Sequence, residues 1–528
     1  MTVPGPPSTD PLTPITDPAE PFKFADGSHE GPIEEVVWTA RALELINGSY
    51  ASKLHSSCLS AWAKDGQDQR RRCKEFAAVT SKDCNPLAVG HHFDLSVPGR
   101  ARVRSIADRR VKSGRGPWFR DFLQEKYQGG ADAYPDQGIL HQLEFGLRFN
   151  ADTSWSIAFN PPLKSALPHL KLLHEQLLAE EGQGFYTRTT RVVALPSTLN
   201  SIGAAINRGK VRVTTDNSSP RDELDPEGRP YAVNGALPPA GEEDDDIRWT
   251  GTRHSLEQCE FVYALWLLVS ADLPPEQAEA LRPRWFAVDA KAFFRQFEMC
   301  MRDQHLQTLI FPAKEETQIF TSPRLAFGSR FGPELAQRIA YLMDTVVKLQ
   351  MQKWIHLVLE IRTHGHQDPE IATAAREALP DKLLAWARRR AASQGKEMTS
   401  VLGELIQTLQ YIDDRQGGGL GEAMPLACMF ASWDLASSNQ TDLPVSAPKS
   451  QYGHSLEYLG IVQHGGFGLA TITKRRLGQL DEILVRMKTL PSIERKELDS
   501  NLGKYGFAAQ IQPPVQALLA RSYRTLHQ

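Results

Sequence analysis

Cysteine is scarce in this sequence: six residues in 528, at no repeated spacing. That excludes a disulfide framework as an organising device and makes a reducing compartment the default. Cys58, Cys73 and Cys84 with His91 and His92 offer donor atoms for zinc, but their gaps far exceed the short Cys-x2-4-Cys spacing of structural zinc sites. No apolar run approaches the ~20 residues of a membrane span, and the N-terminus lacks a basic segment followed by an apolar one. The expected location is therefore intracellular, cytoplasmic or nuclear, with no membrane partner. Strong net charge is also missing, at −3. That total conceals segregation, because the first ~35 residues and Glu242-Glu243-Asp244-Asp245-Asp246 are acidic, whereas residues 70–126 are rich in Arg and Lys. No internal repeat is found.

What remains is an ordinary globular composition, long enough for two to four lobes. Residues 1–35, with Pro4, Pro6, Pro7, Pro11, Pro14, Pro18 and Pro21, read as a disordered leader. A helical pattern with Val36, Val37, Ala40 and Leu43 follows, then the basic segment from Arg100 to Arg115. Further on, the pattern predicts a helix over Leu170–Leu178 and a buried strand at residues 191–195. Another strand, from Lys210 to Asp216, places Lys210, Arg212 and Thr214 on one face and Val211 and Val213 on the other. A strand with cations on one face suits a wall that touches phosphates.

Arg284–Asp289 is an apolar strand ending on a carboxylate. After Leu325-Ala326-Phe327-Gly328, Pro333 and Glu334 open a helix whose Leu335, Ile339, Leu342, Val346 and Leu349 form one core face. A polar helical stretch over about 361–401 leads to the most telling segment, Leu409-Gln410-Tyr411-Ile412-Asp413-Asp414. An isolated Asp-Asp pair is ordinarily a solvated turn. Here a strand runs into it, and Gly417-Gly418-Gly419 suggest a tight reversal with the charge at the turn. Two adjacent like charges ask for a cation between them, and carboxylates are hard ligands suited to a divalent metal. A strand over Leu456–Val462 and a helix with Leu477, Leu480, Leu484 and Met487 on one stripe complete the pattern, with a further helical segment after Pro491.

Taken in order, these blocks resemble the motifs of a reverse transcriptase. Val288-Asp289-x-x-Ala292-Phe293-Phe294 resembles the first palm motif and Leu325-x-Phe327-Gly328 with Pro333 the second. Tyr411-Ile412-Asp413-Asp414 resembles the aromatic-x-Asp-Asp box, and Tyr458-Leu459-Gly460 the strand that grips the primer end. Lys210-x-Arg212-x3-Asp216-x-Ser218-x-Pro220 and Val233-Asn234 are similar to the fingers segment of retrotransposons of the tyrosine-recombinase (DIRS-like) kind, and Leu502-Gly503-Lys504 to their thumb-to-connection region. The resemblance covers about residues 140–528. Departures are a longer segment between the second and third motifs, and Arg415-Gln416 where apolar residues commonly follow the aspartates.

The resemblance implies an α+β right-hand polymerase: fingers over 136–260, palm over 261–462 with a helical insertion at about 361–401, and the start of a thumb or connection over 463–528. A helical basic region, 36–135, would precede it, and no RNase H domain is expected. It implies an RNA-directed DNA polymerase of a retroelement that joins dNTPs to a primer 3′-hydroxyl on an RNA or DNA template. Mg²⁺, or Mn²⁺ in its place, would be held by Asp289, Asp413, Asp414 and the main chain of Ala290. Lys210 and Arg212 would meet the triphosphate. Phe293 or Phe294 would exclude a 2′-hydroxyl, with Phe327 and Gly328 beside the nucleotide, and Lys449 would protonate pyrophosphate. A domesticated or inactive nucleic-acid-binding relative and an RNA-directed RNA polymerase are the alternatives.

Overall fold

A computed structural model describes residues 114–511, apart from 150, 152–157, 160–162, 164, 190–197, 208–209, 220, 222–223, 225–227, 238–251, 301–302, 313–316, 438–440, 442, 490–492 and 510. The leader, the zinc candidates, nearly all of the basic segment and the strand expected at 191–195 lie outside the described residues.

Helices α1 (Arg115–Lys126) and α2 (Gln137–Phe145) come first, followed by α3 (Leu170–Gly182), which a turn containing Pro168 introduces. Strands β1 (Ser201–Asn207) and β2 (Lys210–Asp216) form an antiparallel hairpin that pairs Ser201 with Asp216. Val213 is buried and Arg212 exposed, as the alternation predicts; the side chain of Lys210 lies outside the described set. Beneath this hairpin, Leu173, Leu177, Tyr186, Ile202 and Phe320 make a small separate core.

Helix α4 (Thr252–Ser270) leads to β3 (Arg284–Asp289), and a second hairpin, β4 (Thr308–Pro312) with β5 (Thr317–Thr321), follows. Helix α5 (Gly332–His364) is 33 residues long, with Pro333 in its first turn. Leu335, Ile339, Leu342 and Val346 on its stripe are fully buried. The stretch expected to be helical continues as α6 (Pro369–Ala378), α7 (Asp381–Gln394) and α8 (Met398–Gly403). Ala375, Leu379, Leu383 and Val401 join the main core, so one side of this stretch is packed.

Strands β6 (Gln407–Tyr411) and β7 (Asp414–Gly419) follow, then helix α9 (Ala423–Ser437) and β8 (Gln451–Gly453). The central sheet is antiparallel in the order β8-β3-β7-β6, with α5 and α9 packed against it. The reversal between β6 and β7 is made by Ile412-Asp413 alone, since Tyr411 already pairs with Asp414. Gly417, Gly418 and Gly419 are therefore not the turn: they lie inside β7, opposite Phe286, Trp285 and Arg284. Their job is clearance. A Cβ on Gly417 would stand 2.5 Å from Phe286 Cε1, and one on Gly418 2.3 Å from Trp285 Cδ2.

The strand expected over Leu456–Val462 is instead a hairpin, β9 (Leu456–Tyr458) and β10 (Ile461–His464), with β11 (Leu469–Ile472) beyond it. Leu459 (φ 49°) and Gly460 (φ 79°) are both left-handed, the pattern of a type I′ turn whose twist suits a two-residue hairpin. Helices α10 (Lys474–Thr489) and α11 (Arg495–Ala508) close the described chain. The α10 stripe is not core: Leu477 and Leu484 are exposed, with Leu480 and Met487 half-buried. No helix among the described residues is long and apolar enough to cross a membrane.

The glycine clearance gives a direct test. Gly418→Ala forces a methyl into the Trp285 ring, and overpacking of this kind costs about 1–3 kcal/mol. Urea unfolding followed by tryptophan fluorescence should show a midpoint lowered accordingly; an unchanged midpoint would contradict the packing described.

Candidate active site

Three strand ends meet at one edge of the central sheet. β3 delivers Asp289, the β6–β7 turn delivers Asp413, and β7 opens on Asp414. Register sets Asp414 directly opposite Asp289, which places their Cβ atoms about 5 Å apart on one face. The Ala290 amide donates to the Asp413 carbonyl at 2.7 Å, stitching the turn to the residue after β3. Asp289 ends a strand and caps no helix.

The turn is conformationally costly. Ile412, a β-branched residue, holds φ 51°, a region that strongly favours glycine. Only the first of the two turn residues is left-handed, the type II′ pattern. Ala292 (φ 50°), just past Asp289, and Leu459 are the other two non-glycine residues at positive φ among those described. Tyr458, beside Leu459, donates its hydroxyl to the Asp414 carbonyl at 3.0 Å, so the β9–β10 hairpin is tied to the acidic turn. Tyr458 thus reaches the site from the end of β9, and Leu459 and Gly460 form the turn that follows it.

The charges feel one another. Burial first, then the negative charge of Asp289, pushes the Asp413 carboxyl above the ordinary carboxylate range, with Lys449 and Arg212 pulling it back. Asp414 is pushed up to about 7 by burial and by Asp413 and Asp289, against a smaller opposing pull from Lys449. Lys449 lies on Asp289, its Nζ 2.7 Å from Oδ1 and 2.9 Å from Oδ2. Arg212, exposed on β2, projects enough positive charge onto Asp413 to register there.

Among the described residues no cluster of three or more His, Cys, Asp or Glu side chains forms a ready cage for a metal ion. The arrangement instead fits an ion held by two or three carboxylate oxygens, with water and substrate oxygens completing the shell, the mode Mg²⁺ favours. Mutual repulsion leaves a deficit of positive charge, and an ammonium group already sits on Asp289. Asp289, Asp413 and Asp414 are the side chains that would hold it, beside the backbone of Ala290.

Packing separates the two phenylalanines that the sequence leaves equivalent. Phe293 is buried edge-on against Phe297, with centroids 4.9 Å apart, within the main core. Phe294 is buried in the same core, but its ring meets the exposed Phe327 at 4.8 Å. The adjacent Gly328 has φ 110°, and a Cβ there would stand 2.1 Å from the Thr215 carbonyl oxygen of β2. Asn234 spans the same junction: its Nδ2 donates to the Gly328 carbonyl (3.0 Å) and to Ser218 Oγ (2.8 Å), and its Oδ1 accepts from the Arg330 amide at 2.8 Å. The sequence marks Val233-Asn234 by its resemblance to the fingers segment, but not the bridge that Asn234 makes to Gly328 and Arg330.

No protein-family model matches the chain, and no curated protein matches it. Among solved structures, the foamy viral protease-reverse transcriptase dRH in complex with double-stranded DNA is similar at 15% identity and TM-score 0.34, over 77% of this chain and 56% of that one. The foamy viral protease-reverse transcriptase with an RNA/DNA hybrid gives 13% identity and TM-score 0.36, over 78% and 43%. A Prototype Foamy Virus protease-reverse transcriptase CSH mutant gives 14% and 0.30, over 79% and 46%. The chain thus spans about half the length of these proteins.

Asp414 makes stability depend on pH when no metal is present. The folded state keeps its proton up to about pH 7 while the unfolded chain releases it near 3.8. The folded state binds more protons between these values, so this contribution is full below the lower one and is lost as pH rises through the upper. In EDTA, Asp414→Asn should gain on the wild type between pH 4 and 8, by on the order of a few kcal/mol in urea unfolding. Parallel stability curves for the two proteins would contradict the buried, mutually repelling carboxylates.

Proposed function

We propose that this chain is an RNA-directed DNA polymerase of a mobile element, adding dNTPs to a primer 3′-hydroxyl. The observation that carries the reading is the register that faces Asp289 with Asp414 and puts Asp413 in the two-residue turn between them and Tyr411. Support also comes from the ordered sequence motifs that resemble those of reverse transcriptases, of which Asp289, Asp413 and Asp414 meet at this edge and Tyr458 bonds to it. When bound, Mg²⁺ would lower the pKa of the primer hydroxyl and neutralise charge at the α-phosphate and the leaving group.

The chain's own residues prepare that chemistry. Asp289 and Asp413 hold the positive charge at the strand ends, and Asp414 sets the local field. Arg212 on the exposed face of β2 meets the triphosphate, a role guanidinium geometry suits. Lys210 belongs to the same strand and shares the assignment. Phe294, whose ring meets Phe327, lies under the sugar and rejects a 2′-hydroxyl, and this favours DNA over RNA synthesis. Gly328 lets the backbone close on the base pair, and Lys449 releases Asp289 to deliver a proton to departing pyrophosphate. Tyr458, Leu459 and Gly460 place the primer end. Template and primer are held by backbone and shape, as an enzyme indifferent to sequence requires.

A second reading, nucleic-acid binding without synthesis, draws on one observation: the Lys449 ammonium occupies both oxygens of Asp289.

Primer extension on an RNA template with Mg²⁺ or Mn²⁺ separates the two. Wild type should extend with dNTPs and Asp413→Asn should not. Salt-sensitive template binding with no extension by either protein supports the second reading instead. In the same assay Phe294→Ala should raise ribonucleotide incorporation relative to dNTP by at least about tenfold. Phe293→Ala should chiefly destabilise the fold. Unchanged discrimination in Phe294→Ala would remove that residue from the sugar pocket.

A further inference from the structure

A chain of buried polar groups runs behind the acidic turn and ends on the backbone of the strained residue. The Ile412 amide donates to Gln337 Oε1 at 3.0 Å, and the Ile412 carbonyl accepts from Gln410 Nε2 at 2.9 Å. Gln337 Nε2 also donates to the Gln410 carbonyl at 3.1 Å. Both backbone polar groups of a left-handed, β-branched residue are thus held by side chains, one from α5 and one from β6.

Gln410 is itself fixed from beneath. Its Oε1 accepts from Arg415, through Nε at 3.0 Å and through Nη2. Arg415 is 3% exposed and also donates to Ser432 Oγ on α9 at 3.2 Å. Its charge is answered by Asp344 on α5, which accepts from Thr408 Oγ1 and from Lys348 Nζ, each at 2.8 Å. A primary amide can point either its oxygen or its nitrogen at a neighbour. The cation of Arg415 decides: it takes the oxygen, so the nitrogen must face the Ile412 carbonyl.

A charged residue inside a strand is costly, and an apolar residue of similar volume would often serve stability as well or better. An arginine here therefore calls for a positional explanation. We propose that Arg415 is a positioning residue for the catalytic turn: by orienting Gln410 it keeps Ile412 left-handed and so aims Asp413 at Asp289. The proposal rests on the polymerase reading. It assigns a role to the residue that departs from the apolar pattern after the two aspartates.

Two conservative variants test it without emptying the core. Arg415→Lys keeps the charge beside Asp344 and loses the two-pronged hold on Gln410. Gln410→Glu keeps an acceptor for Arg415 and loses the donor to Ile412. Gln350→Leu, elsewhere on α5, removes a side-chain bond to Asp434 of α9 and is the control. Three quantities are read on the full chain: kcat and KM for dNTP in primer extension, Mn²⁺ affinity of the free protein by electron paramagnetic resonance, and the melting midpoint.

Both variants should lose about tenfold to a hundredfold in kcat with KM within about twofold, and should bind Mn²⁺ several-fold more weakly. Their melting should stay close to that of the control, which keeps wild-type turnover. Full turnover in both variants overturns the proposal, and so does a loss that merely follows the fraction unfolded while Mn²⁺ affinity is unchanged. Wild-type protein that extends no primer overturns the polymerase reading and takes this role with it. Wild-type extension matched by the variants overturns the positioning role alone.

Discussion

Repulsion among three carboxylates is the interaction on which the rest of this structure depends. Two antiparallel pairings bring Asp289, Asp413 and Asp414 to one sheet edge, and a backbone bond from Ala290 holds them there. Such an edge is unstable by itself, as the raised carboxyl of Asp414 records. The fold answers with cations of its own, Lys449 against Asp289 and Arg212 acting on Asp413. Both come from outside the four strands, one from the segment before β8 and one from the β1–β2 hairpin. An edge that assembles negative charge in this way attracts cations, because a cation relieves the repulsion the protein has built up.

Strain collects at the same place. Among the described residues, all three non-glycine residues at positive φ flank the acidic edge: Ala292, Ile412 and Leu459. Ile412 and Leu459 sit in hairpin turns braced by neighbours, and Ala292 precedes a short helical turn after β3. The Ile412 backbone is gripped by Gln337 and Gln410, and the hairpin that carries Leu459 is tied down by the Tyr458 hydroxyl. Costly backbone persists only where the surroundings over-determine it. Here the surroundings are a core of α5, α9 and β3 side chains with a polar seam running through it.

Much of this could be read from the sequence because it follows short periods. The run from Arg284 to Asp289, the stripe from Leu335 to Val346 and the alternation at Arg212 and Val213 each announce their element. What could not be read depends on neighbours distant along the chain. Three consecutive glycines look like a reversal, yet Gly417 and Gly418 clear space for Phe286 and Trp285, residues more than a hundred positions earlier. Leu459 carries no turn signal, so Leu456–Val462 looked like one strand. Phe293 and Phe294 are both buried and differ in which ring each meets, Phe297 or the exposed Phe327, a question of packing. Arg415 and Gln410 look like polar residues on an exposed strand face until α5 and α9 are laid across them. The exposed stripe on α10 shows the converse, a core-like period with no core beneath it among the described residues.

The most direct measurement is a crystal structure of the chain with primer, template, dNTP and Mn²⁺, the metal located by its anomalous scattering. The account predicts manganese peaks between the carboxylates of Asp289 and Asp413, with the Lys449 ammonium moved off Asp289. A bound nucleotide with no manganese at that edge, and Lys449 still on Asp289, would contradict it.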